Sequence, residues 1–317
     1  MATHKIRRPK KAVKKTKKRG VWNAYLIRVV AGLGVLLFLV VVAGVLLNHF
    51  MSSRIAEPPI RRSRVVKLPR FEIYPKNDIS PRELLPKPPK IAPAALPKIA
   101  IIIDDIGYDK AIADKFLALN SVLTFSILPQ SPYEKSIARS VHRKGYDVML
   151  HLPMEPDEYP MINPGPGVLL CSMSPSQLTH QLNEDLDAFP FITGVNNHMG
   201  SKMTTLSPQL HEIFSVLKIR GLFFIDSRTT PDTVCKPSAE LLKIPFAQKD
   251  VFIDHNPEPE SIRKQIYRLI SIAINHGEAV GIAHPHEETY KILREMLPEL
   301  KKKAKLVHAS DIVHIAG

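Results

Sequence analysis

Eight short apolar runs, separated by longer segments, divide the chain from Lys98 to its end. Runs of this length without polar alternation are typical of parallel strands that are buried on both faces. The segments between them are long enough for crossover helices, so the pattern predicts repeated βα units. The runs are IAIII (99–103), LTFSI (123–127), DVML (147–150), ITGV (192–195), LFFI (222–225), VFI (251–253), AVGIA (279–283) and KLV (305–307).

Six of the intervening segments carry apolar residues at helical spacing. In Ser174-Pro175 and in Ser207-Pro208, a capping serine precedes a first-turn proline, which indicates the start of a helix. About 220 residues with seven or eight such units predict an α/β fold, a distorted parallel (β/α) barrel rather than a doubly wound sheet. The predicted helices are 109–119, 133–144, 175–188, 207–219, 258–275 and 287–300.

Carboxylates and imidazoles follow six of the predicted strands. The C-terminal ends of parallel strands in a barrel lie on one rim, so we expect these side chains to surround one cavity. Such a cluster is costly unless a cation lies among its members, and carboxylate and imidazole ligands without thiolate favour zinc or a similar divalent ion. The residues are Asp104-Asp105, His151, Asn196-Asn197-His198, Asp226, Asp254-His255 and His284-Pro285-His286.

The adjacent pair Asp104 and Asp105 fits a division of labour. Neighbouring side chains on a strand diverge, so one carboxylate can bind a metal while the other faces an attacking water as general base. The alternative is a purely local role, in which the pair caps a helix or forms a turn before Gly107.

Five motifs, taken together and in this order, resemble the polysaccharide deacetylase superfamily of metal-dependent carbohydrate esterases, specifically its divergent polysaccharide deacetylase branch in bacteria. The resemblance covers about residues 98–317. It implies a distorted barrel that removes acetyl groups from N-acetylated polysaccharide, such as peptidoglycan or another envelope glycan. The motifs are IIIDDIGY (101–108), VMLHLPMEP (148–156), GVNNHMGSKMT (194–204), FFIDSRT (223–229) and VGIAHPH (280–286).

The resemblance also implies roles for individual residues. In the first motif Asp104 matches the general base and Asp105 a metal ligand. His151 matches the first ligand of the second motif. His284 matches the acid of the final motif, with His286 as a second choice.

The chain departs from the family pattern at two motifs. The position four residues after His151 is Glu155 instead of histidine, and the segment 197–200 replaces the Arg-Pro-containing third motif. His198 is therefore the expected source of the missing imidazole, giving Asp105, His151 and His198 as ligands, with Glu155 as the alternative third ligand. Asp226 either orients a histidine or caps a loop, and both readings stay open.

The N-terminal part of the chain predicts a membrane anchor. Residues 29–47 form an uninterrupted apolar run of 19 residues, long enough to cross most of a bilayer as a helix. The preceding residues 1–28 carry 11 Lys and Arg and no acid, which predicts a cytoplasmic tail and a single-pass inner-membrane protein with its C-terminal domain in the periplasm. A cleaved signal peptide is the alternative, but the run is too long and no A-x-A-like site follows it.

Residues 48–97 separate this anchor from the predicted catalytic domain at 98–317. Ten prolines and no glycine between 58 and 97 predict a stiff, extended tether. A disordered linker of no special length is the alternative.

The distribution of charge argues against a nucleic-acid-binding protein, and the cysteine content argues against a disulfide-rich one. The formal net charge of +14 would suggest a nucleic-acid partner, but residues 99–317 carry 22 basic against 26 acidic side chains, so we expect none. The two cysteines, Cys171 and Cys235, are too few for a disulfide scaffold and lack C-x-x-C spacing, although one bridge between them stays open.

Two functions fit these features best, and another metal-dependent hydrolase, such as a phosphodiesterase, is disfavoured because few Lys or Arg accompany the strand-end residues. The first is a membrane-anchored, metal-dependent deacetylase of envelope polysaccharide. The second is a non-catalytic module on the same fold that binds glycan or protein in organising the cell envelope, and it is motivated by the incomplete ligand motif.

Overall fold

The computed structural model describes residues 19–54, 79–86, 95–188 and 190–315. It divides into two compact units, Met1–Lys67 and Leu68–Gly317. The first unit contains one helix, α1 (Arg19–Arg54), which includes the predicted span 29–47. Within the described residues, no helix combines the length and the apolar character needed to cross a membrane. Most of the predicted tail 1–28 and tether 48–97 lies outside the described residues.

The second unit is a curled sheet of parallel strands covered by helices, which agrees with the predicted (β/α) barrel. The strands are β1 (Lys98–Ile106), β2 (Thr124–Ile127), β3 (Val148–Met154), β4 (Ile192–Met199), β5 (Phe223–Asp226), β6 (Phe246–Gln248), β7 (Val251–Phe252), β8 (Glu278–Ala283) and β9 (Lys305–Val307). The helices are α2 (Lys110–Leu117), α3 (Glu134–Arg143), α4 (Pro175–Asp187), α5 (Ser207–Arg220), α6 (Cys235–Leu242), α7 (Pro259–His276) and α8 (Glu287–Lys303).

The strand order is β6-β5-β4-β3-β2-β1-β8-β7, and β9 pairs with the start of β1. The two edge strands, β6 and β7, are consecutive in the chain, and the chain changes partner between them. Lys249 N donates to Asp226 O at 2.9 Å, and Asp250 N donates to Val280 O at 2.9 Å. Between β6 and β7 the chain therefore crosses from one edge of the curled sheet to the other. The described strands show no β6–β7 ladder, so hydrogen bonds between these strands do not close the barrel.

Alternation along the strands separates an outer core from an inner one. On β1, Ile99, Ile101 and Ile103 pack in the large core that includes the helices, whereas Ala100 and Ile102 pack in a smaller core inside the curl. Period-two alternation puts the next residue on the inner side, Asp104, on the same face as Ala100 and Ile102. This alternation brings polar side chains to the inner mouth of the sheet.

Two elements are absent from the sequence predictions, and one predicted cap is wrong. Strand β6 contributes only Phe246 and Ala247 as apolar residues, and α6 contains Pro237, which argues against a helix in the sequence. Ser174 caps α4 through Gln177 N as predicted. Ser207 does not cap α5, because the helix already includes it and Leu206 occupies the N-cap position.

A short segment of the predicted tether packs on the barrel. Residues Pro81–Leu84 form a 3₁₀ turn that Ser80 caps, and the segment lies in the second compact unit. Ser80 Oγ donates to Asp250 Oδ1 at 2.7 Å, and Arg82 pairs with Glu278 at 2.9 Å. The chain is therefore attached to the domain well before β1 begins.

Candidate metal centre and its surroundings

Asp105, His151 and His198 converge at the inner mouth of the sheet. Asp105 Oδ1 lies 3.2 Å from His151 Nε2 and 3.0 Å from His198 Nδ1. His151 Nε2 and His198 Nδ1 are 3.2 Å apart. In the described part of the chain these three side chains form a group that can hold a metal ion.

The strands explain why these side chains meet. β3 and β4 pair in parallel with His151 opposite Asn196 and Pro153 opposite His198, so both imidazoles lie on the inner side near the strand ends. Asp105 follows Asp104 and would point outward in a regular strand. Its φ of 53° breaks the alternation and turns the second carboxylate toward the same mouth. Backbone strain of this kind concentrates at functional sites.

The geometry of the three side chains fits a metal ion. A tetrahedral zinc site with bonds of about 2.0–2.1 Å separates its ligand atoms by about 3.3 Å, close to the distances between these three atoms. Asp105 Oδ1, which lies between the two imidazoles, is one of the buried oxygens of the described residues without a hydrogen-bond partner. Burial raises the pKa of Asp105, but the neighbouring imidazoles of His198 and His151 hold that pKa well below its usual range. The carboxylate is therefore an available anionic ligand.

Asn196 links the metal group to Asp104. Its Nδ2 donates to both carboxylate oxygens of Asp104 at 2.9 Å and lies 3.2 Å from Ser227 Oγ. Its Oδ1 lies 3.0 Å from His151 Nδ1 and accepts a hydrogen bond from Ser126 Oγ. The bond fixes the His151 ring so that Nε2 faces Asp105. The strand-end position of Asn196 in the sequence does not by itself predict this role, which depends on the pairing of β3 with β4.

His284 lies at the end of β8 and is held by Asp254. Asp254 Oδ1 lies 2.8 Å from His284 Nδ1, and Asp254 Oδ2 accepts from His284 N at 2.7 Å and from Thr289 Oγ1 at 2.8 Å. Burial raises the pKa of Asp254, but His284 and these donors lower it below its usual value. Asp254 was expected at a strand end, but its sequence position predicted no function for it.

His286 lies beside His284, with ring centroids 6.1 Å apart, and is half-buried. Burial lowers the pKa of His286, and the charge on Asp254 opposes this shift. The structure does not bring His286 into the group of Asp105, His151 and His198.

The alternative ligand Glu155 is engaged elsewhere. Glu155 Oε1 pairs with Lys202 Nζ at 2.6 Å, and Oε2 accepts from Cys171 N at 2.7 Å. Burial raises the pKa of Glu155, but these contacts lower it below its usual value. The third member of the group is therefore His198 rather than Glu155.

Asp226 caps a loop and orients no histidine. Its Oδ1 accepts from Arg228 N and its Oδ2 from Thr233 Oγ1, both at 2.8 Å. The carboxylate that orients a histidine is Asp254, which contacts His284, and not Asp226. Both cysteines are free thiols, so the disulfide that the sequence left open between Cys171 and Cys235 does not form.

Comparisons with known proteins agree with this architecture. The sequence pattern of the divergent polysaccharide deacetylase family matches residues 101–313. Protein YibQ of Escherichia coli (strain K12) is 31% identical over 224 residues, which cover 70% of this chain and 69% of YibQ. A Haemophilus influenzae protein is 30% identical over 215 residues, which cover 68% of this chain and 76% of that protein.

Among solved structures, the crystal structure of ATU2773 from Agrobacterium tumefaciens C58 has the same fold. It superposes with a TM-score of 0.66 at 22% identity and covers 78% of this chain and 100% of that one. The family match spans every residue of the candidate metal group and both proposed proton-transfer residues. The chain belongs to the divergent polysaccharide deacetylase family, as its five motifs predict.

Proposed function

We propose that the protein is a membrane-anchored, metal-dependent hydrolase that removes acetyl groups from an N-acetylated envelope polysaccharide. The observation that carries this proposal is the meeting of Asp105, His151 and His198, with Asp104 linked to them through Asn196. Membership of a deacetylase family supports the reaction class.

Asp105, His151 and His198 would hold the ion, and zinc suits two imidazoles and one carboxylate. A bound divalent ion supplies Lewis acidity and lowers the pKa of a water molecule. Asp104 acts as the general base, because Asn196 holds its carboxylate at the inner mouth beside the ligand group. The proton on the attacking water passes to this carboxylate.

His284 acts as the general acid toward the departing amine. Asp254 holds Nδ1, so Nε2 is the ring nitrogen that faces away from Asp254 and exchanges a proton with the substrate. The carboxylate fixes the tautomer and stabilises the imidazolium, as in other carboxylate–histidine pairs.

We propose the apolar run 29–47 of α1 as the anchor, with the C-terminal domain on the periplasmic side, as the sequence predicts. Large apolar side chains of this helix, among them Leu36, Leu37 and Phe38, are at least 60% exposed in the chain. The basic residues before it carry the orientation signal. Protease treatment of spheroplasts tests this proposal: the barrel should be digested from outside, while an N-terminal tag stays protected.

Metal binding and acetate release test the enzymatic proposal. The full chain, purified in detergent, should bind zinc and release acetate from N-acetylglucosamine oligomers. Asp105→Ala should lose both properties, whereas Asp157→Ala, which removes an exposed carboxylate from a nearby loop, should keep them. A full chain that binds no divalent metal would rule the proposal out.

The non-catalytic module stays the second candidate, because Glu155 occupies the position of a family ligand and is bound to Lys202 instead. Asp104→Asn separates the two functions. If the protein only binds its partner, this variant should complement a deletion strain fully, whereas loss of complementation by a folded variant supports the hydrolase.

A further inference from the structure

Lys249 is a buried lysine whose role the proposed mechanism does not include. It lies in the two-residue connection between β6 and β7, where the chain crosses over to close the curl, and only 1% of it is exposed. Removing an ammonium group from water is costly unless an anion lies close to it. A cation at this position therefore indicates a buried carboxylate nearby.

The ammonium of Lys249 lies inside the curl of the sheet. Its Nζ is 3.4 Å from the centroid of the Phe252 ring, and Phe252 belongs to the inner core with Ala100 and Ile102. The Phe252 ring in turn lies 6.1 Å from the ring of His284. Lys249 is thus on the same inner side as the residues proposed to transfer protons.

The backbone of Lys249 is hydrogen-bonded to the end of β5, which lies beside Asn196 of β4. Lys249 N donates to Asp226 O at 2.9 Å. The next residue after Asp226 is Ser227, whose Oγ lies 3.2 Å from Asn196 Nδ2, and this same nitrogen donates to Asp104 at 2.9 Å. A short series of contacts therefore leads from Lys249 to Asp104.

Four buried carboxylates lie around this part of the barrel, and three of them have other partners. Asp250, the residue after Lys249, accepts from Ser80 Oγ and Val280 N and pairs with Arg82.

Asp226 turns toward the loop before α6, where Arg228 N and Thr233 Oγ1 donate to it. Burial raises the pKa of Asp226, and the charges of Arg228 and Lys249 oppose this shift, so Asp226 is the carboxylate against which the pairing with Asp104 has to be tested. Asp254 accepts from two groups of His284 and from Thr289. Asp104 is the remaining carboxylate, and the alternation along β1 puts it on the same inner side as Ala100, Ile102 and the Phe252 ring that Lys249 contacts.

We propose that Lys249 is a positioning residue of the active site, whose ammonium pairs with the carboxylate of Asp104 across the inside of the barrel. The ion pair and the two hydrogen bonds from Asn196 then fix the orientation of the Asp104 carboxylate and its distance from Asp105. The catalytic role of this ion pair rests on the proposed function, whereas the existence of the ion pair does not.

A double-mutant cycle on stability tests the pair without any activity. In the metal-free full chain in detergent, Lys249→Met should lower the urea midpoint, because it leaves the Asp104 carboxylate buried without its counter-charge. Lys249→Met raises the unfolding equilibrium constant by some factor in the unaltered chain. In an Asp104→Asn background, this factor should be at least about tenfold smaller. The matched cycle with Asp226→Asn should be additive. Coupling to Asp226 in place of Asp104, or additive effects in both cycles, would overturn the assignment.

Steady-state kinetics test the positioning role. Lys249→Met should lower kcat about 100-fold, the cost of a misplaced catalytic group, and change KM by less than about threefold. Lys249→Arg should recover part of kcat, since it keeps the charge. Lys236→Met, which removes an exposed lysine on α6, should leave kcat unchanged.

Zinc affinity separates positioning from damage to the metal centre. Lys249→Met should bind zinc within about threefold of the unaltered chain, whereas a larger loss would overturn the positioning role. If the unaltered chain shows no deacetylase activity, the proposed function fails while the stability cycle still decides whether the pair exists.

Discussion

Asn196 Nδ2 donates to both carboxylate oxygens of Asp104 at 2.9 Å, so one neutral amide orients the proposed general base. The same side chain faces His151 through Oδ1 at 3.0 Å. An amide is suited to this double task because it presents a donor and an acceptor on one rigid plane. Movement of Asn196 would therefore disturb the base and a metal ligand together.

Replacing Asn196 by alanine should impair both catalysis and metal binding. We expect a loss of about 10–100-fold in zinc affinity or kcat, the range found when a partner of a metal ligand is removed. Zinc titration and acetate release measure the two effects. Asn183→Ala, which removes a half-buried amide on α4 that contacts Arg220, is the matched control and should change neither. Unaltered zinc affinity and kcat in Asn196→Ala would contradict the linking role.

Asp254→Asn should lower kcat and leave zinc affinity unchanged. The variant keeps the size of the side chain but removes the charge that stabilises a protonated His284, and it can favour the wrong tautomer. We expect a loss of about 10²–10⁴-fold in kcat, the range of general acid catalysis. Asp232→Asn, in an exposed loop, serves as the control. Retention of full kcat by Asp254→Asn would exclude His284 as the acid.

The convergence of Asp105, His151 and His198 was predictable from the sequence, because parallel strands place their C-terminal residues on one rim. His151 and His198 are 47 positions apart in sequence, yet adjacent pairing of β3 and β4 brings them together. The roles of Asn196 and Asp254 were not predictable, because each depends on strand register. Asp254 reaches His284 only because β7 and β8 pair with Val251 opposite Gly281.

The remaining differences arise from short elements and from tertiary contacts. β6 has only two apolar residues, Phe246 and Ala247, before the polar segment 248–250, so its sequence does not stand out from that of a loop. Lys249 carried no pattern in the sequence, because its burial depends on the chain crossing between the two edge strands. Asp105 was predicted to diverge from Asp104 by strand geometry, whereas a positive φ turns it into the same mouth.

Asp185 should make stability depend on pH between about 4 and 7. Burial raises the pKa of this carboxyl from 3.8 to about 7, although Gln181 and Gln130 donate hydrogen bonds that oppose the shift. Because the folded state binds the proton more tightly than the unfolded chain, the free energy of unfolding should fall as pH rises through this window. The slope is at most about 1.4 kcal/mol per pH unit.

Urea unfolding of the metal-free chain at several pH values measures this dependence. In the Asp185→Asn variant, the free energy of unfolding should fall less as pH rises. This variant should be more stable than the unaltered chain at pH 8. Asp187→Asn is the control two residues away, since Asp187 is exposed and paired with Arg220. Its ion pair lowers the pKa of Asp187, so this variant should gain no stability at high pH. Identical pH profiles for the Asp185 variant and the unaltered chain would refute the prediction.

The choice between His198 and Glu155 as third ligand can be decided by zinc affinity. His198→Gln should weaken zinc binding at least about 100-fold, because it removes one of three protein ligands. Glu155→Gln should stay within about threefold, since Glu155 binds Lys202 and the amide of Cys171, away from Asp105. Loss of the Lys202 ion pair should instead loosen the loop that Glu155 holds, which faster proteolysis near Cys171 would report. Zinc affinities in the reverse order would assign the ligand to Glu155 and require the loop to rearrange when metal binds.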